Sequence, residues 1–373
     1  MSVAIWGVGT SYFGKQPGET LVQLAFGAVR EALDDAGVDA VDAVYVGTVF
    51  GAPGVAPRVL HALGVTRIPI VSIENACASG TSAYHEAHAA VAHGRYERVL
   101  ALGFEQMTTL FDGAIHPEAS DPEGRMGMAL PSLYAMSAAR YLEVFGTRRE
   151  QLAAVSVKNH RHAAGNPRAQ YRKPCSVEEV LASRMIADPL TLLQCCPIAD
   201  GAAAAVLGPA CGRSGEVRVR GSALRSGSLW DHRSQHVWGF EIARDTARAA
   251  YEQAGVGPED LDVLELHDAF TIGEIVTSEA LGLAEEGRGG ALVESGHTTL
   301  GGRQPVNPSG GLLSRGHPLG ATGLAQLAEI TWQLRGSAGA RQVEGARLGL
   351  VETMGGGVSG IDGNACVVTV LER

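Results

Sequence analysis

Three residues of this chain join a reactive side chain to a setting that could use it: Cys77 in "NACASG", His317 in "SRGHPLGATG" and His267 in "ELHDAF". Cys77 stands where the apolar run "IPIVSIE" gives way to an alanine-rich stretch with helical spacing. A sulfur at a helix start faces unpaired backbone N–H groups and the positive end of the helix dipole, which predicts a lowered thiol pKa and a nucleophile. Ala76, Ala78, Ser79 and Gly80 are small and leave room beside it. A lone cysteine before a helix is more often a small buried hydrophobe, so this reading requires a partner that can take the thiol proton.

His317 supplies that partner. Gly310, Gly311, Gly316, Gly320 and Gly323 surround it with backbone that can turn tightly, and Pro318 suits the first helical position. An imidazole held rigidly at a helix entrance is the ordinary activator of a cysteine nucleophile. His267 follows the apolar strand "LDVLEL", at the sheet edge where open α/β folds place ligands. It offers a third polar group for charge developing on an acyl oxygen; the plainer alternative is a histidine satisfied by Asp268 or Glu265. The glycine run in "VETMGGGVSG" could bring further N–H groups up to a ligand, or be no more than a turn.

The elements that must carry these residues alternate between strand and helix, the pattern of α/β layers. A helix ending in "AGV" and leading into a buried strand occurs twice, in "LVQLAFGAVREALDDAGV" and in "FEIARDTARAAYEQAGV". Cys77-x-x-Gly80 and His317-x-x-Gly320 occupy matching helix starts, and each half closes with a strand, "RVLALGFE" and "LGLVET". Two copies of one βα unit are therefore expected, with Cys77 and His317 at corresponding points. Residues 1–110 and 197–212 form the first half and 213–373 the second. Residues 111–196, with "NHRHAAGNPRAQYRKP" too polar for a sheet strand, form an excursion covering the site.

With 373 residues the chain can bury a sizeable core. Thirty basic against forty acidic residues give a net charge of −10, which argues against a nucleic-acid or anionic-membrane surface. An acidic protein that binds phosphates needs a local cation cluster, and Arg168, Arg172 and Lys173 form one. Six cysteines without a C-x-x-C pair fit reduced thiols in the cytoplasm and no metal site. The adjacent Cys195 and Cys196 are read as inert packing. No secretory leader or membrane span is expected.

The whole chain resembles the thiolases of the sterol-carrier-protein type, through "GVGTSYFGK", "NACASG", "KNHRHAAGNPRAQYR", "CCPIADGAAAAVL", "HDAF" and "NPSGGLLSRGHPLGATG". The resemblance implies a five-layered αβαβα fold with a loop domain inserted in the first half, a dimer or tetramer, and coenzyme A thioesters as substrates with no further cofactor. It also implies Cys77 as acyl acceptor, His317 as its activator, and His267 in the place of an oxyanion-hole residue. The N–H groups of Cys77 and Gly355 would form a second oxyanion hole. Asn307, Gly310 and Gly311 are expected to line the substrate site. Ordinary members carry an acid/base cysteine where this chain has Thr353, and some relatives of this type keep one in "HDCF", where this chain has Ala269. Three readings follow: a thiolase in which His267 moves the proton, a related enzyme such as a retro-aldolase or an acyltransferase to a non-CoA acceptor, and a non-catalytic acyl-CoA-binding subunit. Some relatives work with a small zinc-ribbon/OB-fold protein, and none of the chain resembles a fused lipid-carrier domain.

Overall fold

The computed structural model describes residues 1–212, 215–230, 234 and 236–373; the boundary expected between the halves at 212/213 therefore abuts residues outside the described ones. The strands are β1 (Val3–Thr10), β2 (Ala43–Gly47), β3 (Ile70–Ile73), β4 (Val99–Gln106), β5 (Met185–Ala187), β6 (Leu190–Thr191), β7 (Asp200–Pro209), β8 (Val217–Arg225), β9 (Val263–Glu265), β10 (Leu348–Gly355) and β11 (Ala365–Glu372). The helices are α1 (Leu21–Ala36), α2 (Val55–Ala62), α3 (Ser79–Ala92), α4 (Pro122–Arg125), α5 (Leu130–Phe145), α6 (Arg149–Ala163), α7 (Val177–Ala182), α8 (Phe240–Ala254), α9 (Thr271–Ala280), α10 (Gly289–Glu294), α11 (Gly311–Arg315) and α12 (Leu319–Arg335).

The strands join in the order β3-β2-β4-β7-β1-β8-β11-β10-β9, and β5 pairs only with β6. The β1–β8 seam holds through two residue pairs, Ala4–Arg218 and Ile5–Val217. Outward from that seam the two sides repeat. Beyond β1 come antiparallel β7, antiparallel β4, then parallel β2 and β3. Beyond β8 come antiparallel β11, antiparallel β10, parallel β9, and a parallel bridge from Leu264 to Val306 in the place of β3. The duplication read from the sequence is thus present as two matched sheet halves.

Helices α3 and α12 fill the space between the halves, α1 and α2 cover one outer face, and α8 and α9 the other, which makes five layers. Strand β4 shows why both faces of a sheet half must be covered. Leu100, Leu102 and Phe104 pack in the outer core while Val99 and Ala101 face the inner one, the period of two that a strand imposes. Both outer helices that end in "AGV" stop at a glycine in the left-handed conformation, Gly37 at φ 68° and Gly255 at φ 68°, as helix ends often do.

Between β4 and β7 the chain leaves the sheet for α4 to α7. The polar stretch "KNHRHA" is the end of α6, and its polarity is spent internally. Lys158 Nζ lies 2.8 Å from Glu274 and donates to the Val306 carbonyl, and Asn159 Nδ2 donates to both Asp268 and Glu274. These groups are almost wholly buried, where a charge is tolerated only if it is paired and hydrogen-bonded. They tie the excursion to the second half beside His267.

Candidate active site

The backbone before Cys77 takes a conformation that most side chains avoid. Ala76 has φ 49°, in the left-handed region, and local bonds hold it there. The Ser79 hydroxyl donates to the Ala76 carbonyl at 2.6 Å and accepts from the Asn75 N–H at 2.9 Å, while the Ala76 N–H donates to Glu74 at 2.7 Å. The turn presents Cys77 just ahead of α3. Gly80 then allows α12 to approach: a Cβ there would sit 2.3 Å from the Gly320 carbonyl oxygen. The matching glycines of the two repeats thus touch, and the residues three positions before them meet.

His317 Nε2 lies 3.3 Å from Cys77 Sγ. On the other side of the ring, Nδ1 lies 2.7 Å from the Thr322 hydroxyl, whose single hydrogen is donated to the Pro318 carbonyl at 3.0 Å. Thr322 can therefore only accept from Nδ1–H, so Nε2 carries the lone pair and faces the thiol. Glu105, at the end of β4, fixes the start of α12 by accepting from the Gly320 N–H at 3.0 Å, together with the Val49 and Phe50 N–H groups.

The expected lowering of the thiol pKa is not what this setting gives. Cys77 keeps some accessible surface, yet dense protein encloses its sulfur; this burial, reinforced by Glu105 and Glu74, pushes the thiol up to about 12 against the opposing N–H groups of Cys77 and Gly356. Burial, with His267 and Arg315 adding to it, holds His317 well below the usual histidine range. The directions of both shifts favour a neutral thiol beside a neutral imidazole.

His267 completes the cluster. Its ring centre is 5.2 Å from that of His317, and donor atoms of Cys77, His267 and His317 all lie within 4.8 Å of one another. The plainer alternative, satisfaction by Asp268 or Glu265, does not occur: both His267 ring nitrogens are buried without a hydrogen-bond partner. Burial pushes its pKa down to about 3, so the ring is a neutral base with a free lone pair. Asp268 instead accepts from the Leu312 N–H at 2.7 Å and from Asn159, while Glu352 accepts from the His267 backbone N–H at 2.9 Å. These two acidic groups fix the backbone on either side of the imidazole; the sequence offered Asp268 as a partner of the ring itself and gave no sign of Glu352, because only the fold brings their partners together.

Several expected site residues do other work. Gly355 packs so closely on Asn75 that a Cβ would lie 2.2 Å from its carbonyl oxygen, while the backbone N–H groups of Cys77 and Gly356 act to lower the Cys77 thiol pKa against its burial. The Thr353 hydroxyl donates to Gln326 at 2.6 Å. Asn307 is fully buried at φ 56°, its side chain bonding the Leu266 N–H and Glu274, so it shapes the loop and offers nothing to a substrate. Gly310 and Gly311 serve close packing, their missing Cβ atoms making room for Ala163 and Asp268. Arg168 pairs with Glu31 at 2.6 Å and stacks 5.0 Å over Trp332, so this member of the expected phosphate cluster is already spent. Arg172 and Lys173 stay exposed. Cys195 and Cys196 pack against the core of the second half, and Cys196 bonds the Ala269 carbonyl through its backbone.

The N-terminal thiolase domain pattern matches residues 7–210 and the thiolase C-terminal domain-like pattern residues 227–369. An acetyl-CoA acetyltransferase of Methanothermobacter thermautotrophicus is 44% identical, over 95% of this chain and 96% of its own length. Human sterol carrier protein 2 is 40% identical, over 99% of this chain and 71% of its own. A solved Ltp2-ChsH2(DUF35) aldolase superposes with a TM-score of 0.83 at 26% identity, covering 100% of this chain and 98% of that one. With its duplicated five-layered fold and both domain patterns in place, the chain belongs to the thiolase superfamily, alongside acetyl-CoA acetyltransferases and sterol-carrier-protein-type thiolases.

Proposed function

We propose that this protein carries an acyl group on Cys77 and uses it to make or break a carbon–carbon bond next to a coenzyme A thioester. The observation that carries the reading is the 3.3 Å thiol–imidazole pair, with the imidazole tautomer selected by Thr322. Cys77 passes its proton to His317 Nε2, and the sulfur attacks the thioester carbonyl. The N–H groups of Cys77 and Gly356, which favour the thiolate, are the donors this reading offers to the oxyanion. The CoA sulfur then leaves and takes the proton from His317, so charge and protons balance.

The carbon–carbon step also needs a group that moves a proton at the substrate α-carbon. Thr353 does not fill that role, since a hydroxyl already donating to Gln326 is a poor base near neutral pH. His267, neutral and unpartnered beside the thiol, is the base this reading assigns. Arg172 and Lys173 remain as the cations offered to the CoA phosphates.

A second reading is a retro-aldolase, favoured by the structural likeness to an aldolase and by the absence of the acid/base cysteine. That likeness also supports a small DUF35-type partner, and the family resemblance a dimer or tetramer. Six unpaired cysteines favour a reducing compartment such as the cytoplasm. The described helices include none long and apolar enough to cross a membrane. Product analysis with and without free CoA separates the two chemistries. Thiolysis of a 3-ketoacyl-CoA consumes CoA and stops with Cys77→Ala. Aldol cleavage of a 3-hydroxyacyl-CoA needs neither, and finding only that cleavage would replace the first reading with the second.

A further inference from the structure

Cys77, His267 and His317 lie far apart in the chain, so no metal-ligand spacing is visible in the sequence. The fold brings them into one cluster: the Cys77 sulfur and one ring nitrogen of each histidine all lie within 4.8 Å of one another. Among the described residues no other three His, Cys, Asp or Glu side chains converge in this way. A Zn²⁺ ion bound tetrahedrally by one thiolate and two imidazoles, at its ordinary bond lengths, holds those donor atoms about 3.3–3.6 Å apart. The Cys77–His317 edge, at 3.3 Å, has that length already. The two edges to His267 need to shorten by at most about 1.5 Å.

The two imidazoles are prepared for an ion in different ways. His317 Nδ1–H donates to the Thr322 hydroxyl at 2.7 Å, which leaves the Nε2 lone pair facing the sulfur. Metal-bound histidines almost always carry such a hydrogen bond behind them, because it fixes ring and tautomer. His267 is 2% exposed, and neither of its ring nitrogens is bonded. A buried imidazole without partners leaves its desolvation uncompensated, and a cation on one nitrogen would offset part of that cost. With no hydrogen bond holding the ring, His267 is also free to close on the ion. Cys77 keeps some accessible surface, which gives the ion a way in.

We propose that Cys77, His267 and His317 form a Zn²⁺ site, and that the bound ion holds the enzyme inactive. The ion takes the place of the thiol proton: the Cys77 S–H bond breaks, a sulfur–zinc bond forms, the proton passes to solvent, and no electrons are transferred. With the sulfur, His317 Nε2 and His267 all coordinated, neither the nucleophile nor either base is available. The inactivation rests on the acyl-enzyme reading above; the metal site itself does not. One thiolate and two imidazoles suit Zn²⁺ and exclude hard cations such as Mg²⁺, which take oxygen ligands. Structural zinc sites use four protein ligands. Three ligands leave the fourth position to water and suit a hold that can be released.

Co²⁺ and Zn²⁺ titrated into the full chain, kept reduced and first stripped with EDTA, test this directly. Co²⁺ should bind at one equivalent per chain with thiolate-to-cobalt charge-transfer absorption, Zn²⁺ should displace it, and Mg²⁺ should do neither. Cys77→Ala should lose the band, whereas Cys211→Ser, which removes the exposed cysteine, should keep it. Losing a hydrogen bond behind a ligand typically costs about 10–100-fold in affinity, so losing the ligand in His267→Ala should weaken Zn²⁺ by at least about 10²-fold. A second measurement needs no mutation. Zn²⁺ at about 100 times its dissociation constant leaves about 1% of sites open, and should slow iodoacetamide alkylation of the native Cys77 peptide by about 10²-fold until EDTA is added. A band that survives Cys77→Ala, Zn²⁺ affinity unchanged in a folded His267→Ala protein, or alkylation of Cys77 at the same rate with and without Zn²⁺ overturns the inference. Binding and protection with no acylation of metal-free Cys77 would refute the acyl-enzyme reading alone; acylation undiminished at saturating Zn²⁺ would refute the metal site alone.

Discussion

Replacing Thr322 with valine should slow acylation of Cys77 by about 10- to 100-fold while the protein stays folded. The Thr322 hydroxyl spends its one hydrogen on Pro318 and accepts from His317 Nδ1–H at 2.7 Å. Valine keeps the shape and removes the acceptor, which strands a buried N–H at a cost of roughly 1–3 kcal/mol. The ring escapes that cost by carrying its proton on Nε2, 3.3 Å from Cys77 Sγ, and in that tautomer it cannot take the thiol proton. A shift of about 1.4 to 2.8 kcal/mol toward the wrong tautomer corresponds to the 10- to 100-fold loss. The assay is a time course of intact mass after mixing with acyl-CoA, beside thermal unfolding to show that the variant is folded. Thr322→Ser, which restores the acceptor, should acylate nearly as fast as the native protein. A folded valine variant within about two-fold of native, or a serine variant as slow as valine, would refute the tautomer argument.

Other consequences are equally open to measurement. His267→Ala should leave acylation of Cys77 intact but abolish carbon–carbon bond chemistry, and Thr353→Cys should raise thiolysis by up to about 10²–10⁴; thiolysis that survives His267→Ala would move the base elsewhere. Gly80→Ala should destabilise by on the order of 3 kcal/mol in urea unfolding, since its Cβ would meet the Gly320 carbonyl oxygen at 2.3 Å and backbone cannot give way; an unchanged midpoint would contradict the close approach of α3 and α12. His162 should make the protein acid-labile: its Nδ1 bonds the Asn307 carbonyl, its Nε2 accepts from the Leu300 N–H, and burial pushes it down to about 3. The unfolded chain then takes up the proton first, so stability is full above the ordinary histidine value near 6.5 and is lost as pH falls from there toward 3. Glu352, pushed up to about 7 by burial, acts in the opposite sense, its contribution fading as pH rises from 4.5 through 7. His162→Gln should therefore flatten the acid side of the melting-temperature profile, and an unchanged slope would count against it. Arg172→Glu should raise KM for the thioester more than it lowers kcat, while Arg168→Ala should lower the melting temperature with little effect on KM; the reverse pattern would restore Arg168 to the CoA site.

The meeting of Cys77 and His317 was legible because they sit at equivalent points of a repeat, each three residues before a glycine that the fold presses against its counterpart. His267 was legible for its position after an apolar strand, though its lack of any partner was not. Thr322, Glu105 and Glu352 went unread because their partners lie far along the chain or depend on which way a ring faces, and Asp268 was read toward His267 whereas it bonds Leu312 and Asn159. Arg168 was misread for a related reason: a cation in a basic run is indistinguishable by sequence from one already paired, and Glu31 lies 137 residues away. The lowered thiol pKa failed because helix-end geometry is visible in sequence whereas the burial that outweighs it is not. The influence of the Gly356 N–H on the Cys77 thiol was not legible, since only the turn after β10 brings the two together.

The central claim is that acyl groups are carried on Cys77 with His317 as base, and peptide-resolved mass spectrometry after brief mixing with acyl-CoA tests it most directly. The account predicts one acyl mass on the native protein, confined to the peptide containing Cys77, absent in Cys77→Ala and at least about 10²-fold slower to form in His317→Ala. Acyl mass on another cysteine, or unchanged acylation in Cys77→Ala, would contradict it.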